Sequence, residues 1–149
     1  MIDLATAAII HCTVTNQSSL LKPREVTKIT RVCNDYAKIV QSVWHKPRAI
    51  LKVYLVDKLE SKYPESWAGY HATGGVIKIN VKKWYGLGYK DIYYPLTHEV
   101  AEAVVMYNPN PDGSNEVADP VGQDYFIMNE IKVSQFLTPD GTEFKENGN

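Results

Sequence analysis

Residues 97–102 read Thr97-His98-Glu99-Val100-Ala101-Glu102, inside a segment whose apolar spacing is helical. Leu96, Val100, Ala103, Val104 and Tyr107 recur at intervals of one to four residues and predict the buried stripe of a helix. Asp91 stands where it can cap that helix, and Pro95 falls in its first turn. Residues four apart on a helix lie one turn above each other, so the His98 imidazole and the Glu102 carboxylate fall side by side, off the apolar stripe. Side by side, they can share one metal ion. Glu99 projects from the same turn, where it can act as a general base on water bound to that ion.

Upstream, the pattern alternates between strand and helix. Ala8, Ile10, Cys12 and Val14 alternate with other residues and predict a half-buried strand over residues 8–15. After the polar break Asn16-Gln17-Ser18-Ser19, Pro23 suits the first turn of a helix. Val26, Ile29, Val32, Cys33, Tyr36, Ile39, Val40, Val43 and Trp44 then step by helical intervals. His45 and Lys46 sit at its end, and Pro47 stops it. Residues 49–57 are rich in β-formers and predict a central strand. Residues 76–81 alternate again, Ile77, Ile79 and Val81 inward against Lys78, Asn80 and Lys82 outward, which predicts an edge strand. Asn108-Pro109-Asn110-Pro111-Asp112-Gly113 ends the motif helix with dense turn chemistry, and residues 132–137 form a further candidate strand.

The spacing of His98 and Glu102 is that of the zinc-protease motif H-E-x-x-H, with a carboxylate in place of the second histidine. A third ligand is supplied by Glu116 or Asp119 in Glu116-Val117-Ala118-Asp119, with Asp119 preferred and the other carboxylate left to orient a ligand. One imidazole with two carboxylates neutralises a divalent cation, whereas three imidazoles leave it at +2. The oxygen-rich set keeps zinc as first choice and widens the range to Mn²⁺, Fe²⁺ or Ca²⁺. Tyr125, shortly downstream, is a candidate donor to a developing oxyanion.

Composition bounds the alternatives. The 149 residues are 44% hydrophobic and 22% charged, with a formal net charge of −1, as expected of one globular domain over residues 1–149. A balanced charge gives no support for a nucleic-acid or anionic-membrane partner, and Lys82-Lys83-Trp84-Tyr85 carries too few charges for a nucleic-acid patch. Residues 1–10 lack the basic start of a signal peptide, and no stretch approaches the length of a membrane span. Cys12 and Cys33 lack metal spacing and read as reduced core thiols, in keeping with cytoplasmic synthesis. His71 is compatible with lining the cleft, but a loop histidine with a local hydrogen bond is the favoured reading.

Taken together, these pieces resemble a family of small phage and prophage proteins. Its pattern is an S-H-E-[IV]-L-E helix, an E-V-C-D segment followed by acidic residues and Tyr, and V-S-N-F-V-x-P. The counterparts here are Thr97–Glu102, Glu116–Asp119, Asp124-Tyr125 and Val133-Ser134-Gln135-Phe136-Leu137-Thr138-Pro139, preceded by Gly69-Tyr70-His71. The chain departs from that pattern at Gly122 and Gln123, where acidic residues are usual, and after Pro139, where the aromatic end of the motif is missing. The resemblance implies metal positions at His98, Glu102 and the Glu116/Asp119 pair. It also implies a setting in the cytoplasm of an infected host cell or in the virion.

The order strand, long helix, strand, edge strand, motif helix is also that of zincin metalloproteases. By this analogy the chain is expected to be α+β: one zincin-like domain with a small twisted mixed sheet, a long backing helix and the H-E-x-x-E helix. Two functions are compatible with it. One is a zinc-dependent metalloprotease-like hydrolase acting on a peptide or protein substrate, which would lie along residues 76–81. The other is a non-enzymatic head, neck or tail component that binds other virion proteins.

Overall fold

The computed structural model describes residues 11–46, 50–106 and 117–144. The first strand, β1 (His11–Asn16), leads into the long helix α1 (Pro23–Trp44), and β2 (Ile50–Val56) follows. Pro23 occupies the first turn of α1, and the Glu25 carboxylate accepts the Lys22 backbone N–H at 2.8 Å, closing the helix start. The hairpin β3 (Gly69–Ala72) and β4 (Val76–Asn80) comes next, then a short helix α2 (Val81–Gly86) and the motif helix α3 (Tyr93–Val105). A 3₁₀ turn at Asp119–Val121 precedes a second hairpin, β5 (Tyr125–Met128) with β6 (Ile131–Ser134). The chain is α+β with a small mixed sheet, as its pattern predicts.

The main sheet has the order β1-β2-β4-β3, with β1, β2 and β4 mutually parallel and β3 antiparallel to β4. Leu51, Val53 and Leu55 of β2 and Ile77 and Ile79 of β4 are fully buried and form one core with Ile29, Val32, Tyr36 and Val40 of α1. Leu96, Val100 and Val104 of α3 join the same core. The alternate residues Lys52, Tyr54 and Lys78 face away from it. Both long helices therefore cover one face of the sheet.

Three expectations are corrected here. Residues 76–80 are an inner strand, not the edge, because β3 pairs outside them; Val81 already belongs to α2. The edge strand is β3, brought back by a turn in which Gly74 and Gly75 both take positive φ, 84° and 80°. Cys12 and Cys33 are not reduced thiols but a disulfide, with Cα atoms 6.2 Å apart. Strand alternation turns Cys12 onto the covered face and helical spacing turns Cys33 down onto it, so the two meet. Disulfides persist in oxidising surroundings, and the cysteines no longer argue for a reducing compartment. Third, Glu102 does not lie off a buried stripe: α3 is buried nearly all round, and Glu102 is 2% exposed.

Smaller differences concern the ends of elements. Ile92 is the cap position of α3, and Asp91 Oδ1 accepts the Tyr93 N–H at 3.3 Å from one residue earlier. The downstream strand is β6, ending at Ser134, and its partner β5 has no counterpart in the sequence reading. Ala8 to Ile10, Pro47, Tyr107, the turn at 108–113 and Glu116 lie outside the described residues. Among the described residues no helix is long and apolar enough to cross a membrane.

Candidate metal centre

Helix α3 presents His98, Glu99 and Glu102 toward a cleft of about 520 Å³ between β3, α2 and the 3₁₀ turn. The helix is fixed in this position from below. Thr97 Oγ1 donates to the Tyr93 carbonyl at 2.7 Å and accepts the Ser134 N–H at 2.9 Å. The Tyr36 hydroxyl of α1 donates to the Ser134 carbonyl at 2.7 Å, so one β6 residue is tied to both long helices.

Glu102 sits at the base of the cleft. Its Oε2 accepts two backbone N–H groups, from Ala118 at 3.2 Å and Asp119 at 3.0 Å. Its Oε1 lies 3.5 Å from His71 Nδ1 and 3.9 Å from His98 Nε2. His98 Nε2 also lies 2.8 Å from Asp119 Oδ1. His98, Glu102 and Asp119 thus offer ligand atoms that all lie within 4.8 Å of one another. Asp119 reaches them because the 3₁₀ turn docks its own backbone on Glu102.

Burial raises the Glu102 carboxyl to about 7; the nearby His98 imidazole opposes this, and the Asp119 and Glu99 charges add to it. A carboxylate held in such a place with two others has too little water to stabilise its charge. Imidazole nitrogen with carboxylate oxygen is a donor set that suits Zn²⁺, Mn²⁺ or Fe²⁺. The residues present therefore fit a divalent cation.

His71 is the residue that the sequence reading undervalued, placing it in a loop where the structure has a strand. It lies on β3, opposite Ile77, and directly paired residues share a face of the sheet. Ile77 faces the core, so His71 faces α3, with Nδ1 2.9 Å from Glu99 Oε1. The available signal was the hairpin: pairing Gly69–Ala72 with Val76–Asn80 across Thr73-Gly74-Gly75 puts His71 on the face of Ile77.

Tyr125 does not line this cleft. Along β5, Phe126 and Met128 turn into the core, which leaves Tyr125 outward, 49% exposed, with Lys132 Nζ 4.2 Å from its ring centre. The tyrosines that line the cleft are Tyr70 and Tyr94, and the Tyr94 hydroxyl donates to the Gly122 carbonyl at 2.7 Å. Aromatic pairs form the rims. Trp84 stacks on Tyr89 at 4.0 Å between ring centres, and Tyr63 stacks on Tyr70 at 4.3 Å and Trp67 at 5.4 Å.

No family model, no curated protein and no solved structure matches this chain. The meaning of the cleft accordingly rests on its own geometry.

Proposed function

We propose that this protein is a metal-dependent hydrolase with a zincin-like arrangement, acting on peptide bonds. The observation that carries the reading is the convergence of His98, Glu102 and Asp119 on one position, with the Glu99 carboxylate next to His98 on the same helix. His98, Glu102 and Asp119 would hold the cation, zinc by preference. When bound, it supplies Lewis acidity toward a carbonyl oxygen and toward water.

The chain's own groups do the rest. Glu99 is 14% exposed at its side chain, open enough to take a proton from an attacking water and return it to the leaving amine. His71 orients the Glu99 carboxylate by its 2.9 Å contact. The two backbone N–H groups on Glu102 Oε2 fix which oxygen remains for the cation. The edge strand β3 borders the cleft, and a peptide in extended form can add to such an edge. The likeness to small phage and prophage proteins suggests that the substrate is met in an infected cell or a virion.

The test begins with metal content. Untagged protein should carry zinc, measured by elemental mass spectrometry, and His98→Ala should lose it. A peptide library should be cleaved by the loaded wild type, and Glu99→Gln should abolish cleavage while keeping at least one equivalent of metal. A chain that binds neither Zn²⁺ nor Mn²⁺ would overturn the reading and leave the virion-assembly role.

A further inference from the structure

The polar side chains of the cleft form a row. Glu99 Oε1 is 2.9 Å from His71 Nδ1, which is 3.5 Å from Glu102 Oε1; that oxygen is 3.9 Å from His98 Nε2, itself 2.8 Å from Asp119 Oδ1. The row contains two sets of one histidine and two carboxylates: His71, Glu99, Glu102 and His98, Glu102, Asp119. Within each set the ligand atoms lie within 4.8 Å of one another, and only Glu102 belongs to both. Five ligands around a single ion would form one set. Two sets joined at a shared carboxylate is the pattern of two ions.

We propose that the cleft binds two divalent cations bridged by Glu102 Oε1, one held by His98 and Asp119, the other by His71 and Glu99. The proposal rests on the metal-binding reading of His98, Glu102 and Asp119 and extends it to a second position. Oε1 is the bridging atom because Oε2 is already held by the N–H groups of Ala118 and Asp119. Charge is compatible with two ions. Three carboxylates with two neutral imidazoles carry −3; one divalent ion leaves −1 and two bring the site to +1. The donor sets are alike, so both positions should accept the same metal, and carboxylate-bridged pairs are an established arrangement for hydrolysis. Glu99 becomes a ligand when the second ion is present. The one-ion and two-ion forms then differ in the group available to take a proton.

The test uses metal-stripped full-length protein dialysed against Zn²⁺ and, separately, Mn²⁺, with metal per chain measured and circular dichroism to check folding. Wild type should hold two equivalents. His71→Ala and Glu99→Gln should each lose one and keep one; His98→Ala should also lose one, and Glu102→Ala both. Electron paramagnetic resonance of the Mn²⁺ form should show an exchange-coupled pair in wild type and an isolated ion in His71→Ala. One equivalent in wild type that survives His71→Ala would overturn the second site while leaving the single-metal reading intact. One equivalent lost in both histidine variants would overturn it in favour of one ion shared by both. No metal in any form would overturn this proposal and the hydrolase reading together. Glu99→Gln preserves shape and charge-free volume, so it decides the matter even if the alanine variants fail to fold.

Discussion

His71 and Glu99 are 28 residues apart in sequence, yet the His71 Nδ1 and Glu99 Oε1 atoms stand 2.9 Å apart. One comes from the edge strand and the other from the motif helix, so the pair measures how well sheet and helix are docked. It also decides what Glu99 can do. A carboxylate held on one side by an imidazole keeps one orientation toward the cleft, where a free one would rotate.

His71→Ala should therefore lower turnover more than binding. A loss of about 10–100-fold in kcat is the ordinary effect of removing a partner that orients a functional group. KM for a cleaved peptide should stay close to wild type. An unchanged kcat would make His71 a bystander to hydrolysis.

The buried Glu102 gives a pH prediction. Its carboxyl is raised from 4.5 to about 7, chiefly by burial. Between those values the metal-free folded protein keeps a proton that the unfolded chain has released, so stability is fully present below pH 4.5 and falls as pH rises toward 7. The effect is on the order of 3 kcal/mol. Metal-free protein should unfold at lower urea concentration at pH 7.5 than at pH 5.5, and Glu102→Gln should flatten that dependence. Zinc, which needs the ionised carboxylate, should stabilise more at pH 7.5 than at pH 5.5. Equal slopes in wild type and variant would refute a raised Glu102.

The same residues show what a sequence discloses and what it hides. His98 and Glu102 were legible because a helix relates positions four apart without help from the rest of the fold. The core stripe of α1 was legible for the same reason: Ile29, Val32, Cys33, Tyr36 and Val40 all became buried. Asp119 was named only as one of two carboxylates, because its approach depends on a turn docking two N–H groups on Glu102. His71 was undervalued because its face is set by pairing with β4 and not by its own segment. Edge and inner strand were exchanged since polar Lys78 and Asn80 face solvent from an inner strand whose other face is covered. Each cysteine was placed correctly toward the core, but no local pattern states that two inward residues on different elements lie opposite each other.

The disulfide makes a separate prediction. It links residues 21 apart, β1 to α1, at the margin of the sheet. Closing a loop of that length restrains the unfolded chain by about 3 kcal/mol in the chain-entropy account. Oxidised protein should show no free thiol in denaturant. Reduction, or Cys33→Ser with Cys12→Ser, should lower the urea midpoint with little change in metal content, because neither cysteine approaches the cleft. A midpoint indifferent to reductant would contradict the link.

Gly69 tests whether the edge strand positions the site. A Cβ there would meet the Lys78 carbonyl oxygen at 2.6 Å and Ile79 Cδ1 at 2.9 Å. The methyl of Ile79 can turn aside, but the carbonyl belongs to β4, whose ladder holds it in place. Gly69→Ala must therefore push β3 away from β4 near the residue pair Gly69 and Ile79. Overpacking of this kind costs about 1–3 kcal/mol. Displacing β3 also moves His71, two residues on, away from Glu99. The variant should lose stability and, in the same step, lose the metal equivalent that depends on His71 while keeping the one that depends on His98. Loss of stability with both equivalents retained would show that β3 can shift without carrying its histidine, and would separate the fold of the edge strand from the chemistry of the cleft.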